Sequence, residues 1–212
     1  MTTRIGLLSD VHASAAPLRE ALSIFRREDA ALVLCAGDIV GYGTESAKTI
    51  ELLAQSRSTV IMGNHDAWYF DSPPAKTEKP VRDYLSRLPR VWESVVEGIH
   101  VYAVHASPPR SMNQGIRLLD EHGDIHPAEK ERWAGLLEDY PFDVLVVGHT
   151  HQVFAEQLGS KLVINPGSTK FNHTCAILSL PDMGVRIFPL SGREPVKSWN
   201  WGLMAGGGGF NA

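Results

Sequence analysis

Five short apolar runs in this chain each stop at a polar residue able to bind a cation. IGLLS at 5–9 precedes Asp10 and His12, and LVLC at 32–35 precedes Asp38. TVIM at 59–62 precedes Asn64, IHVYAV at 99–104 precedes His105, and VLVVG at 144–148 precedes His149 and His151. Short apolar runs bounded by turn residues are the signature of strands buried on both faces, which arise where helices cover a sheet. The intervening stretches supply helices: LREALSIFRRE, opened by Pro17 in a first turn that tolerates it, and ESAKTIELLAQ. The alternation predicts the α/β class, in which ligand-binding groups gather just past the carboxyl ends of strands.

The second half changes rhythm. DSPPAKTEKP, from Asp71, is rich in Pro and charge and reads as a connection before a short helix near Val81 to Leu88. VWESVVEG and IHVYAVH form a predicted hairpin turning at Glu97 and Gly98. An irregular stretch from Ala106 to Pro127 follows, and a connection that long is usually functional or mobile. After a helix over AEKERWAGLLEDY come short strands at FAEQL, KLVIN, CAILSL and VRIFPL, so the sheets are expected to be mixed. Residues 1–190 are read as one domain, and 191–212, polar and then Gly-rich at GLMAGGGGF, as a frayed or partner-docked tail.

Composition narrows the function classes. With 212 residues, 43% of them hydrophobic, the chain is long enough for one full core. A formal charge of −4 provides no basic field for nucleic acid or an anionic membrane, so any phosphate must meet a local positive centre. Cys35 and Cys175 sit inside apolar runs, where they read as small core residues and fit a reducing cytoplasm. MTTRIGLLSD lacks the layout of a secretory leader, and no stretch is apolar enough to span a bilayer, so no membrane association is expected.

Taken singly, each candidate ligand has an ordinary use: Asp10 as a helix cap, Gly63-Asn64 as a turn, a lone His as a satisfied polar residue. Placing Asp, His or Asn at five strand ends by coincidence is a far stronger demand. Asp10 and His12, like His149 and His151, are two residues apart, so persisting extended geometry would aim each pair the same way. Gly148 would let the backbone turn sharply between strand and ligands. Asp38, with two anionic oxygens, suits a bridge between two cations, whereas Asn64 offers a neutral amide oxygen. A set of carboxylate, imidazole and amide donors without thiolate suits Mn, Fe, Zn or Ni rather than a structural zinc.

The motifs SDVH, AGDIVGYG, GNHD, VHASP and GHTH, in that order and spacing, resemble the calcineurin-like metallophosphoesterases, in particular their small bacterial phosphodiesterase branch. The resemblance runs from Arg4 to Ser168 and includes NPGS at 165–168. It implies a four-layer α/β/β/α sandwich of two mixed sheets flanked by helices. It also implies two divalent ions, manganese foremost: Asp10, His12, Asp38 and His151 around the first, Asp38, Asn64, His105 and His149 around the second. Asp38 would bridge them, His65 would be the catalytic imidazole, and Asp66 its orienting partner. A metal-bridging hydroxide would attack a small phosphorylated substrate, a phosphodiester and also a monoester. Alternatives are a dinucleoside polyphosphate or nucleotide hydrolase and, in another class, a non-catalytic protein-binding scaffold. A homo-oligomer is compatible with all of these.

Two segments depart from the family pattern: Ala13-Ser14 after SDVH, and TKFNHT after NPGS. Arg110 and Arg117 are candidates for meeting phosphate. Trp68, Tyr69 and Phe70 could stack on a base, although core packing is their more common use. His100 is read as structural, and His122, His126 and His173 are left on the surface without a role.

Overall fold

The computed structural model describes residues 2–73 and 77–199. The Gly-rich end of the expected tail therefore lies outside the described residues. The strands are β1 (Thr3–Leu8), β2 (Leu32–Cys35), β3 (Thr59–Val60), β4 (Val91–Val96), β5 (Ile99–Val104), β6 (Val144–Val146), β7 (Val153–Leu158), β8 (Lys161–Pro166), β9 (Thr174–Leu180) and β10 (Gly184–Pro189). The helices are α1 (Ala15–Arg27), α2 (Ser46–Gln55), α3 (Asn64–Asp71), α4 (Lys79–Leu85) and α5 (Pro127–Leu137). Among the described residues no helix is long and apolar enough to cross a membrane.

Two five-stranded mixed sheets result, ordered β10-β9-β1-β2-β3 and β4-β5-β6-β8-β7. Strand alternation sorts the side chains into three cores. Ile5, Leu7, Leu34, Val101, Ala103, Val144, Val146, Ile164 and Leu178 fill the space between the sheets. Leu18, Leu22, Phe25, Cys35, Leu53, Val60 and Ile177 fill the space between the first sheet and its helices. Val104, Leu137, Phe142, Leu145, Val147 and Val163 do the same for the second sheet and α5. The layers are those of an α/β/β/α sandwich. Gly6 is required on the helix side of β1, where a Cβ would stand 2.6 Å from the Phe25 ring.

Parallel register lines up the strand ends that matter. Leu8 pairs with Cys35, and Cys35 with Val60, so Asp10, Asp38 and Asn64 emerge at one edge of the first sheet. Ala103 pairs with Val146, and Val146 with Ile164, so His105, His149 and His151 emerge at the matching edge of the second. A parallel bridge between Ser9 and Ser168 joins the two edges.

Three expectations need correction. TVIM forms a strand only at Thr59–Val60, and GNHD, read as following directly on a strand end, opens helix α3. The stretch 106–126 has little regular structure but is anchored: Ile116, Leu118 and Leu119 are buried, and Gln152 Oε1 accepts the Leu118 and Leu119 N–H groups at 2.8 and 3.0 Å. Residues 196–199 pack back on the body, with Val153 N–H donating to Lys197 O at 2.8 Å and Trp199 N–H to His151 O at 3.2 Å.

Candidate metal centre

The backbone beyond the strands is not extended. Asp10 (φ 51°), His12 (48°), Asp38 (54°), His149 (65°) and His151 (49°) all adopt the left-handed conformation. For residues with a Cβ this costs on the order of 1–2 kcal/mol each and persists only where surrounding contacts impose it. Here they do: Asp10 N–H donates to Gly37 O and His12 N–H to Asp38 O, both at 3.0 Å. Ser168 Oγ donates to Asp10 O at 2.6 Å, and Asp10 Oδ2 accepts the His149 N–H at 3.1 Å. Strand parity is therefore not what brings Asp10 to His12; a tight left-handed turn does. Gly148 also acts differently from expectation, because a Cβ there would lie 2.0 Å from Ser9 Oγ and 2.7 Å from Asp10 Oδ2, so its role is close approach.

The donors converge in two adjoining groups. In the first, His151 Nε2 lies 3.1 Å from both His12 Nε2 and Asp10 Oδ1, and His12 Nε2 lies 3.8 Å from the same oxygen. In the second, Asn64 Oδ1 is 3.0 Å from His105 Nε2 and 2.9 Å from His149 Nδ1, with Asp38 Oδ2 3.4 Å from His105 Nε2. Asp38 groups with Asp10 and His105 on one side and with His12 and His65 on the other, each set of ligand atoms falling within 4.8 Å.

The outer ring nitrogens show what this arrangement requires. His105 Nδ1 is 2.7 Å from Ala36 O and His12 Nδ1 is 3.2 Å from Val40 O. Carbonyls only accept, so both Nδ1 atoms carry hydrogen and both Nε2 atoms turn inward. His105 Nε2 then faces only acceptors, Asp38 Oδ2 and Asn64 Oδ1, and such a cluster needs a positive charge at its centre. A divalent cation fits it.

Electrostatics agree. Burial pushes the Asp10 and Asp38 carboxyls up, but the histidines around them hold both below the usual carboxylate range. Burial alone would lower His105, yet Asp38 and Asp10 lift it to about 9. Burial takes His12 and His149 down to about 4, so both are neutral and fit for ligation near pH 7. Metal binding in place of the His105 proton would make loading pH-dependent.

His65 and Asp66 stand in the first turn of α3, and the structure separates their roles. The His65 N–H donates to Asp38 Oδ1 at 2.9 Å. Its ring packs 5.0 Å from His12, 4.6 Å from Tyr42 and 4.8 Å from Trp68, centroid to centroid. Asp66, expected to orient that ring, instead takes four backbone N–H groups. Oδ2 accepts from Asp38 and Gly63 at 2.9 Å each, and Oδ1 from Ile39 and Val40 at 2.9 and 3.1 Å. Both oxygens are thereby filled, and the carboxylate acts as the anchor of the Asp38 loop. Burial and the Asp38 charge push its carboxyl up to about 7 against the pull of those amides.

Other residues fall to either side. Neither Arg110 nor Arg117 bonds to a proposed ligand; Arg117 is half-buried, which lowers its pKa. His100 hydrogen-bonds Glu93 and Pro141 O, His122 lies beside Glu121, and His173 Nε2 accepts from Arg193. His126 is the N-cap of α5. Tyr69 packs against the helix-side core, with its hydroxyl accepting the Glu78 N–H, and Phe70 lies under Arg82. Trp68, by contrast, is 56% exposed.

Sequence reasoning missed four residues near the site. Asn165 Nδ2 donates to Gly148 O at 3.0 Å and Asn172 Nδ2 to His151 O at 2.8 Å, fixing the loop that carries both histidines. Lys170 Nζ donates to His12 O at 3.3 Å, and the Phe171 ring stacks 5.3 Å from His151. All four belong to NPGSTKFNHT, and three of them, Lys170, Phe171 and Asn172, to its second part, the departure from the family pattern.

A family model described as the calcineurin-like phosphoesterase superfamily domain matches residues 3–182. A phosphodiesterase of Methanocaldococcus jannaschii is 24% identical over 192 residues, covering 86% of this chain and 91% of that protein. Among solved structures, a hypothetical protein of Pyrococcus horikoshii superposes with TM-score 0.73 at 19% identity, covering 92% of this chain and 89% of its own. A metallophosphoesterase from Sphaerobacter thermophilus gives TM-score 0.67 at 22% identity, covering 90% of each.

Proposed function

Since the chain belongs to the calcineurin-like phosphoesterase superfamily, we propose that it hydrolyses phosphodiesters, and phosphomonoesters as a lesser activity, at a centre for two divalent metal ions. The observation that carries this reading is the pair of converging donor groups joined at Asp38. Asp10, His12, Asp38 and His151 would hold one ion, and Asp38, Asn64, His105 and His149 the other, with manganese the first metal to try. Such a pair supplies Lewis acidity that polarises a phosphoryl group and activates a nucleophilic water at neutral pH.

The chain's own residues do the rest. Asp38 carries two anionic oxygens to the junction of the groups, and Asp66 holds its loop. His65, kept below the ordinary imidazole range chiefly by burial, is neutral at pH 7 and offers a ring N–H to a phosphoryl or leaving oxygen. A scaffold without activity has no need for the complete donor set or for five ligands in strained backbone. We place the protein in the reducing cytoplasm, in keeping with the buried free thiols Cys35 and Cys175, and assign it a small phosphorylated substrate rather than nucleic acid.

The test uses bis(p-nitrophenyl) phosphate, metal-stripped protein and the Asp38→Asn variant. Hydrolysis that returns with manganese in the wild type and stays at least about a hundredfold lower in the variant supports the reading. A wild type that binds manganese but cleaves no diester would leave the scaffold reading in its place.

A further inference from the structure

The metal centre has one wall that ligation does not explain. Tyr42 and Trp68 pack against the His65 ring at 4.6 and 4.8 Å, and they are 65% and 56% exposed. Single exposed aromatics are ordinary. Two of them packed against one candidate catalytic imidazole make a surface. It continues past Tyr42: Phe171 meets that ring edge-on at 5.6 Å and stacks on Trp199 at 4.0 Å and 18°. Lys170 stands at the same place, its Nζ 5.2 Å from the Phe171 ring centroid and bonded to His12 O. Among the described residues no carboxylate forms an ion pair with Lys170, whose Nζ donates to the His12 carbonyl.

Resting on the phosphodiesterase reading, we propose that this wall is a subsite for a nucleoside: the substrate is a nucleotide ester whose base lies against Tyr42 and Trp68 and whose anionic part is met by Lys170. The chemistry is complementary. A base presents a flat π-face that stacks on aromatic rings whatever its identity, and its phosphate needs a cation beside the metal donors. An alkyl phosphodiester would leave both rings in water. Phe171 and Trp199, already stacked on each other, brace the wall from behind and keep Lys170 beside His12.

The test separates the base from the phosphate. Binding of adenosine 5′-monophosphate and of ribose 5-phosphate to the manganese-loaded full chain is measured by calorimetry. The first should bind at least about tenfold more tightly, the usual gain from stacking one base. Tyr42→Ala should reduce that preference several-fold while Tyr42→Phe retains it, and Lys170→Met should weaken both ligands together. Equal affinity of the two ligands in the wild type, or binding of neither by a protein that hydrolyses bis(p-nitrophenyl) phosphate, would overturn the subsite alone. Failure to bind manganese or to cleave any diester would instead remove the reading beneath it.

Discussion

The Asp66 carboxylate accepts the Asp38 backbone N–H at 2.9 Å, so one acidic residue of GNHD sets the position of the other acid on which both donor groups converge. Three further amides, those of Ile39, Val40 and Gly63, share the same two oxygens. Asp66→Ala would leave four buried donors without a partner, and an unmatched buried donor costs about 1–3 kcal/mol. We expect Asp66→Ala to lose at least about 3 kcal/mol in urea unfolding and to bind manganese more weakly, with Asp66→Asn between it and wild type. A variant as stable as wild type would show that the four bonds do not hold the loop.

Gly148 gives a second, independent check on the same edge. A methyl group at this position would collide with Ser9 Oγ and press on Asp10 Oδ2. Gly148→Ala should cost about 1–3 kcal/mol of stability, the range for overpacking a tight interior. Adding Ser9→Gly should restore part of it, as neighbours sharing one clash are non-additive. Purely additive losses in denaturant titrations would sink the steric account.

The stability of metal-free protein should peak near pH 6.5. Below that value the unfolded chain protonates His12 and His149, whose ordinary value is 6.5, while in the folded chain they wait until about 4. Stability therefore falls as pH drops from 6.5 towards 4. Asp66, raised to about 7, works against this over the same window, whereas His65, also lowered chiefly by burial, adds to it. Above 6.5 the folded chain keeps the His105 proton up to about 9, so that contribution is lost as pH rises through 9. Urea midpoints in chelator, taken at half-unit steps, test it; a flat profile from pH 4 to 9 would contradict the burial and charges assigned to these groups.

Metal should stabilise what it organises. At a hundred times its dissociation constant an ion adds about 2.7 kcal/mol, or roughly 5–10 °C in Tm for a domain of this size. Manganese should raise the melting temperature of wild type by that order and that of His151→Ala by clearly less, since His151 Nε2 lies 3.1 Å from both Asp10 Oδ1 and His12 Nε2. Identical shifts in scanning calorimetry would place the ion elsewhere.

Much of this protein follows from local sequence. The apolar runs at 5–9, 32–35, 99–104 and 144–148 became strands, and the residues at their ends are those that converge, because side-chain periodicity and donor chemistry are properties of short segments. The resemblance extended that reading to the four layers.

What sequence could not supply is wherever a residue's partner is distant in the chain. TVIM gave only two strand residues and α3 went unread, since Asn64, His65 and Asp66 are poor helix formers until Asp66 and Asp38 bind the free amides of its first turn. The left-handed turns at Asp10 and His12 depend on Gly37 O, Asp38 O and Ser168 Oγ, the last 158 positions away. Lys170 and Trp199 reach the site only once β8 and β9 carry the chain back to β1 and residues 196–199 pair with Asn172, His151 and Val153. Local sequence thus determined which segments are strands and which side chains can hold a metal, as both are set by the residues themselves. Tertiary structure alone decided how those side chains are aimed and what surrounds them, because the aim is imposed by hydrogen bonds and close packing between segments that meet only in the folded chain.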